Sequence, residues 1–182
     1  SHWVLAVAWS PLGTYLASGG MDNTIYLWDL KTGKRKSKPF KAHKKHITCL
    51  AWEPFMSNPD ESRIASGSKD GTIKIWNIKT RQCILSMSAH TACVKDIKWG
   101  GVGLIYSASQ DRTIKVWEAA TGKLIRSLNG HAHWVNNLSL NTDAVLRLGP
   151  YDHKGNIATT KEEQVQYAVK KYKEIYDKSS EL

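Results

Sequence analysis

The chain is poor in the features that usually announce a site or a compartment. Its three cysteines, Cys49, Cys83 and Cys93, are odd in number and show no Cys-x-x-Cys spacing. That argues against a disulfide framework and for reduced, small hydrophobes in a cytosolic or nuclear protein. No run of 18 or more apolar residues occurs, so no segment reads as a membrane helix. The opening SHWVLAVAWSP has neither the basic region nor the cleavage site of a secretory leader. No GxxxxGK opens a helix; Gly19-Gly20, Gly100-Gly101 and Gly103 read as turn glycines, and phosphate cradling is unsupported. The pairs His43-x-x-His46 and His131-x-His133 lack a third ligand at matching spacing, so they read as structural or surface histidines with no metal and no cofactor expected. Acidic residues are outnumbered, 16 against 26 Lys and Arg, leaving a net charge of +10.

What the chain has is repetition. The segments YLASGGMDNTIYLWDL, RIASGSKDGTIKIWNI and LIYSASQDRTIKVWEA share one pattern: a β-run, Ser-x-x-x-Asp, and a second β-run closed by Trp28-Asp29, Trp76-Asn77 or Trp117-Glu118. The tryptophans are spaced by 48 and 41 residues. A period of about 40–45 residues with this ending resembles the WD-repeat, whose unit is a four-stranded propeller blade. Alternation and turn signals divide the first repeat into strands A (about Val4 to Trp9), B (Leu16 to Gly19), C (Thr24 to Trp28) and D (Lys36 to Phe40). The expected fold is all-β: a partial WD-repeat β-propeller with blades at 1–41, 42–88 and 89–129, and the first strand of a further blade at 130–142. Because a ring takes about 4–8 blades, the chain reads as part of a longer propeller whose open edges favour aggregation of these residues alone. The wider first spacing comes from PFMSNPDES, read as a surface insertion.

Residues 143–182 break the pattern as an inserted loop and an amphipathic helix at about 161–178. Thr160 and Glu163 form a capping box, and Val165, Ala168, Val169, Tyr172 and Tyr176 recur at helical spacing. That stripe either docks on the propeller's own rim or recruits a partner helix.

Serine, histidine and aspartate recur with the tryptophans: Ser18, Asp22 and Trp28; His43, Ser66, Asp70 and Trp76; His90, Ser107, Asp111 and Trp117. A hydrolase needs one nucleophile and base at one cleft with an oxyanion site, not a set repeated at a fixed period. No enzyme is expected. The residues resemble the WD-repeat tetrad, a hydrogen-bonded chain that fixes blade geometry. One cluster stands apart. Lys31, Lys34, Arg35, Lys36, Lys38, Lys41, Lys44 and Lys45 fall in fifteen residues without an acid. It suits RNA phosphates, or else a solvated edge on which lysine discourages strand pairing.

Longer tracts are more specific. Trp99-Gly100-Gly101 in place of the usual turn, the run Gly130-His131-Ala132-His133-Trp134-Val135-Asn136, and Leu146-Arg147-Leu148-Gly149 before a charged helical insertion resemble the Notchless family of ribosome-assembly propellers. That resemblance implies an eight-bladed propeller behind a ubiquitin-like domain, acting as a non-enzymatic scaffold on large-subunit precursors in the nucleolus and nucleus. Partners would be ribosomal RNA and assembly proteins. The giant AAA-type ATPase midasin would be reached only through the ubiquitin-like domain, of which this sequence has none. By resemblance, partner contacts fall at the starts of A strands and just before the turn aspartates: Trp3, Met21, His46, Lys69, Cys93, Gln110 and Trp134. The alternative is an adaptor in ubiquitin-ligase recruitment or signalling. Against it, Trp28-Asp29-Leu30-Lys31 lacks the arginine common in ligase adaptors, and the other repeats lack the aspartate.

Overall fold

The computed structural model describes residues 2–152 and 154–179. Ser1, His153 and 180–182, the last within the expected 143–182 insertion, lie outside the described residues. Three four-stranded antiparallel sheets follow one another in the order of the repeats. The first holds β1 (Val4–Trp9), β2 (Tyr15–Gly20), β3 (Thr24–Asp29) and β4 (Phe40–Lys41). The second holds β5 (Ile47–Trp52), β6 (Arg63–Ser68), β7 (Ile73–Asn77) and β8 (Gln82–Met87). The third holds β9 (Val94–Trp99), β10 (Leu104–Ser109), β11 (Ile114–Glu118) and β12 (Leu124–Leu128). Two helices come last, α1 (Asp143–Leu148) and α2 (Lys161–Ser179). The innermost strands β1, β5 and β9 lie side by side, and β4, β8 and β12 form the outer edges.

The repeated sequence produces repeated local geometry. Each inner strand carries a register shift near its second residue, between Val4 and Ala6, between Ile47 and Cys49, and opposite Ala108/Ser109. Such bulges add twist where the blade begins. The residue after each signature tryptophan builds the turn from the third to the fourth strand. Asp29 Oδ1 accepts the N–H groups of Lys31 (2.9 Å) and Thr32 (3.2 Å), and Asn77 Oδ1 those of Lys79 (2.9 Å) and Thr80 (3.1 Å). Glu118, one methylene longer, accepts the Thr121 hydroxyl instead.

The core lies between blades. Ile25, Leu27, Ile47, Trp52, Ile64 and Trp76 fill the first seam; Ile73, Ile75, Val94, Ile97, Trp99, Ile105 and Trp117 fill the second. Two glycines permit the close approach. A Cβ on Gly19 would lie 2.8 Å from Ile47 Cγ2, and one on Gly67 2.8 Å from Ile97 Cδ1. The Trp52 indole N–H crosses the first seam to donate to the Ala8 carbonyl at 2.9 Å.

Three expectations change. The first blade's outer strand, expected at Lys36 to Phe40, is reduced to Phe40–Lys41 plus an isolated bridge between Trp28 and Arg35. Pro39 has no N–H to give the ladder, and it interrupts the pairing. Residues 130–142 form no strand. The first strand of a blade pairs with the second, and among the described residues 143–179 become helix and loop instead. Finally, PFMSNPDES lies at the surface only in part: Ser57 and Asp60 are exposed, but Phe55 is 1% exposed and Glu61 4%.

The reason is the segment that follows the blades. Ala168 and Tyr172 of α2 are buried, and Val165 and Val169 half-buried. The Tyr172 ring sits where a Cβ on Gly101 would lie. Ala168, Val145 and Gly149 gather around Pro54, Phe55 and Met56. Lys161 pairs with Asp60 (2.8 Å) and Asp143 with Lys98 (3.4 Å), while the Tyr151 hydroxyl donates to the Leu12 carbonyl (3.2 Å). Residues 143–179 thus cover the face that carries the loops between first and second strands of all three blades. The helix stripe docks on its own chain. Its start shows one of the two bonds of the expected box, the Glu163 N–H donating to Thr160 Oγ1 at 3.4 Å.

Candidate functional site

The opposite face carries the turns between second and third strands and the loops that connect blades. In the second blade the Trp76 indole N–H donates to Ser66 Oγ (2.9 Å), which lies 2.7 Å from His43 Nε2; His43 Nδ1 lies 3.2 Å from Asp70 Oδ2. The third blade repeats this. Trp117 donates to Ser107 (2.8 Å), Ser107 lies 2.8 Å from His90 Nε2, and His90 Nδ1 lies 2.6 Å from Asp111 Oδ2. One proton arrangement satisfies every member: the indole donates to serine, serine to Nε2, and Nδ1–H to the carboxylate. In that arrangement both imidazoles are neutral. Burial holds them below the ordinary histidine value, against the opposing pull of Asp70 and Asp111. For Asp111, burial pushes the carboxyl up, but hydrogen bonds from Thr113 and His90 outweigh it and bring it down to about 2.

These carboxylates have little left to offer a substrate. Asp70 also takes the backbone N–H groups of Thr72 (2.9 Å) and Lys44 (3.1 Å), and Asp111 those of Thr113 (3.0 Å) and Thr91 (3.2 Å). Each serine oxygen accepts from the indole and its hydroxyl points at the imidazole inside a blade, where no reacting carbonyl could approach. The sets tie the loop between blades to the turn of the next blade.

The first blade departs from this. Trp28 still donates to Ser18 (2.8 Å), but Asp22 Oδ2 accepts the Tyr26 hydroxyl at 2.7 Å. Lys74 and Lys115 hold Tyr26's place in the other repeats. Sequence comparison of the repeats shows the substitution; the role of the phenol shows only in the geometry.

Six of the seven residues expected to meet partners are brought to this same face by one recurring backbone bond. The residue before each turn aspartate donates its N–H to the residue at the start of the inner strand: Met21 to Trp3 (3.0 Å), Lys69 to His46 (2.9 Å) and Gln110 to Cys93 (2.9 Å). Val135 donates to Ser109 (3.2 Å), setting Trp134 beside the third pair. Trp3 is 76% exposed and Trp134 52%. Cys93 is the exception. Its side chain is buried, and burial raises its thiol pKa, so it brings only backbone to the surface.

The basic block is spread along the edge of the first blade. Lys31 and Lys34 stand at the turn on the helix-covered side, Arg35, Lys36 and Lys38 follow the outer edge, Lys41 ends β4, and Lys44 and Lys45 reach the tetrad face; all eight are exposed. Lys36 Nζ lies 3.9 Å from the centre of the Tyr15 ring. Arg112, not singled out from the sequence, is exposed on the tetrad face at φ 70°. It occupies the left-handed turn position held by Asn23 (64°) and Gly71 (80°) in the other repeats, so aligning the repeats by their turns would have found it.

Among known families, the WD domain, G-beta repeat matches at residues 1–29, 34–77 and 81–118. Protein Notchless of Drosophila melanogaster is 47% identical over 219 residues, covering 94% of this chain and 45% of that protein. Ribosome assembly protein 4 of Saccharomyces cerevisiae is 49% identical over 181 residues, covering 98% and 35%. The chain thus spans less than half the length of these relatives. Solved structures of U3-55K and of RRP9 WD40 repeats superpose with TM-scores of 0.67 over 74% of this chain and 41% of those chains, at 23% and 24% identity. At that identity they show the fold alone.

Proposed function

We propose a function from the premise that the chain belongs to the WD-repeat family, the WD domain, G-beta repeat proteins: it is a non-catalytic scaffold in ribosome biogenesis, docking on precursors of the large ribosomal subunit in the nucleolus and nucleus. The observation that carries this is similarity at 47% and 49% identity, over 94% and 98% of the chain, to Notchless and to a protein named for ribosome assembly. The geometry supports it at the level of mechanism. Hydrogen-bonded tetrads in the second and third blades hold rigid loops, and the face those loops form presents Trp3, His46, Lys69, Gln110 and Trp134 while 143–179 cover the other. Protein surfaces and unpaired bases are the partners of that face. The basic edge of the first blade is the contact for ribosomal RNA phosphates.

The test is gradient sedimentation of the native protein from nuclear extract, with large-subunit precursor RNA probed in every fraction. Salt-sensitive co-migration with those precursors is expected. Migration as a small free species, or with ligase subunits and no RNA, would reject the reading in favour of the adaptor class.

A further inference from the structure

We propose that the outer edge of the first blade is a docking ridge for the phosphate backbone of double-helical RNA. This rests on the RNA-docking reading above and names the form of RNA that the ridge takes.

The first argument is an internal control. Lysines on an outer strand can serve simply to prevent edge-to-edge pairing. The three repeats expose three such edges, and the two long ones do without. The six-residue β8 has no charged residue and exposes Cys83 and Ile84. The five-residue β12 exposes Leu124, Ile125 and Leu128 with Arg126 as its one charge. The edge with the least to protect, the two-residue β4, has Lys41 within it and the other seven cations in the flanking residues 31–45, against Lys79 and Arg81 beside β8 and Lys123 beside β12. Edge protection would distribute them the other way.

The second argument is availability. Among the described residues, none of the eight cations lies in an ion pair with a carboxylate. The acids beside them are engaged elsewhere, Asp29 by its own turn and Asp70 by His43, Thr72 and the Lys44 backbone N–H. The cations run from the turn after β3 to the loop before β5, the full height of a blade. Six residues of β3 make that about 20 Å, the scale on which a helix presents successive rows of phosphates.

The third argument concerns the form of RNA. Single strands are held by stacking bases on exposed rings. Among the described residues the ridge offers no fully exposed ring: Tyr15 lies under Lys36, Phe40 packs on Trp76 with ring centres 5.2 Å apart, and the half-buried Tyr26 and Trp28 stack on each other. Lysine point charges without an aromatic platform suit regular duplex phosphates, read by shape rather than by sequence. The exposed rings of Trp3 and Trp134 lie elsewhere, on the tetrad face.

The experiment measures binding of two fluorescent probes as a function of salt: a mixed-sequence RNA duplex of roughly 20 base pairs, long enough to present successive grooves, and one of its strands alone. Lys34→Gln, Lys38→Gln and Lys41→Gln are combined in one variant, and circular dichroism confirms its fold. Duplex binding is expected to weaken about 10- to 100-fold at moderate salt, with the slope of log affinity against log salt reduced by about 2 to 3. Unchanged duplex binding by the variant would overturn the proposal. So would preference for the single strand that depends on Trp3 and Trp134 and not on the three lysines, though that leaves RNA docking standing. Failure to bind either probe would overturn both readings.

Discussion

At the scale of single residues, the tetrads explain why serine, histidine and aspartate recur without catalysis. Each set is a satisfied chain of donors and acceptors inside a blade, and its weak point is acid. A neutral buried histidine is unprotonated in the folded chain at a pH where the unfolded chain, with an ordinary value of about 6.5, takes up a proton. The stability His43 and His90 contribute is therefore fully present above about pH 6.5 and lost as the pH falls toward their depressed folded values. The slope approaches about 1.4 kcal/mol per pH unit for each histidine. Urea titrations between pH 7.5 and 5.5 should show this decline, and a His43→Ala, His90→Ala double variant should be less stable with a flatter pH response. Wild-type stability that rises toward pH 5.5 would mean the imidazoles are charged when folded. These residues were legible because their spacing repeats; Tyr26 was not, since nothing in its neighbourhood says that a phenol stands beside the Asp22 carboxylate.

At the scale of elements, the strands were legible because alternation and turn residues are local signals, repeated three times. What was lost is instructive in physical terms. Pro39 was visible in the sequence, but how far its missing N–H would erode the pairing of β4 depended on the strand beside it. The six-residue α1 is too short to show a helical period. The fate of PFMSNPDES depended on residues about a hundred positions away, and burial by a remote segment leaves no mark on the buried one. Phe55, read as part of an exposed loop, is the place to test this. Phe55→Ala should cost about 3–5 kcal/mol, as for other fully buried phenylalanines, and should speed hydrogen exchange in α2 more than in β10 or β11. A change below about 0.5 kcal/mol, the range of ordinary surface substitutions, would return the loop to the surface.

At the scale of the whole molecule, the two faces are unequal and so are the two ends of the blade series. The first blade's inner strand exposes Val4, Leu5, Val7 and Trp9, with Trp3 beside it. Contiguous apolar surface of this kind drives association. The 182-residue chain alone should sediment with a coefficient that rises with concentration, and Val7→Lys with Trp9→Glu should suppress that rise; a concentration-independent monomer would show that the strand is protected in solution. The blade count and the covering of one face were not equally readable. The first follows from periodicity, the second from contacts that no period encodes.

The two stretches that break the repeat, PFMSNPDES and residues 143–179, form each other's environment, with Gly101 of the third blade and Leu12 of the first drawn in. On these contacts the expected cooperative unit of this chain is larger than the blade. A clamp made from the least repetitive residues joins the first-to-second-strand loops of three blades, and these loops are expected to share one level of exchange protection. An array built from nearly independent modules is converted, on that face, into a single block.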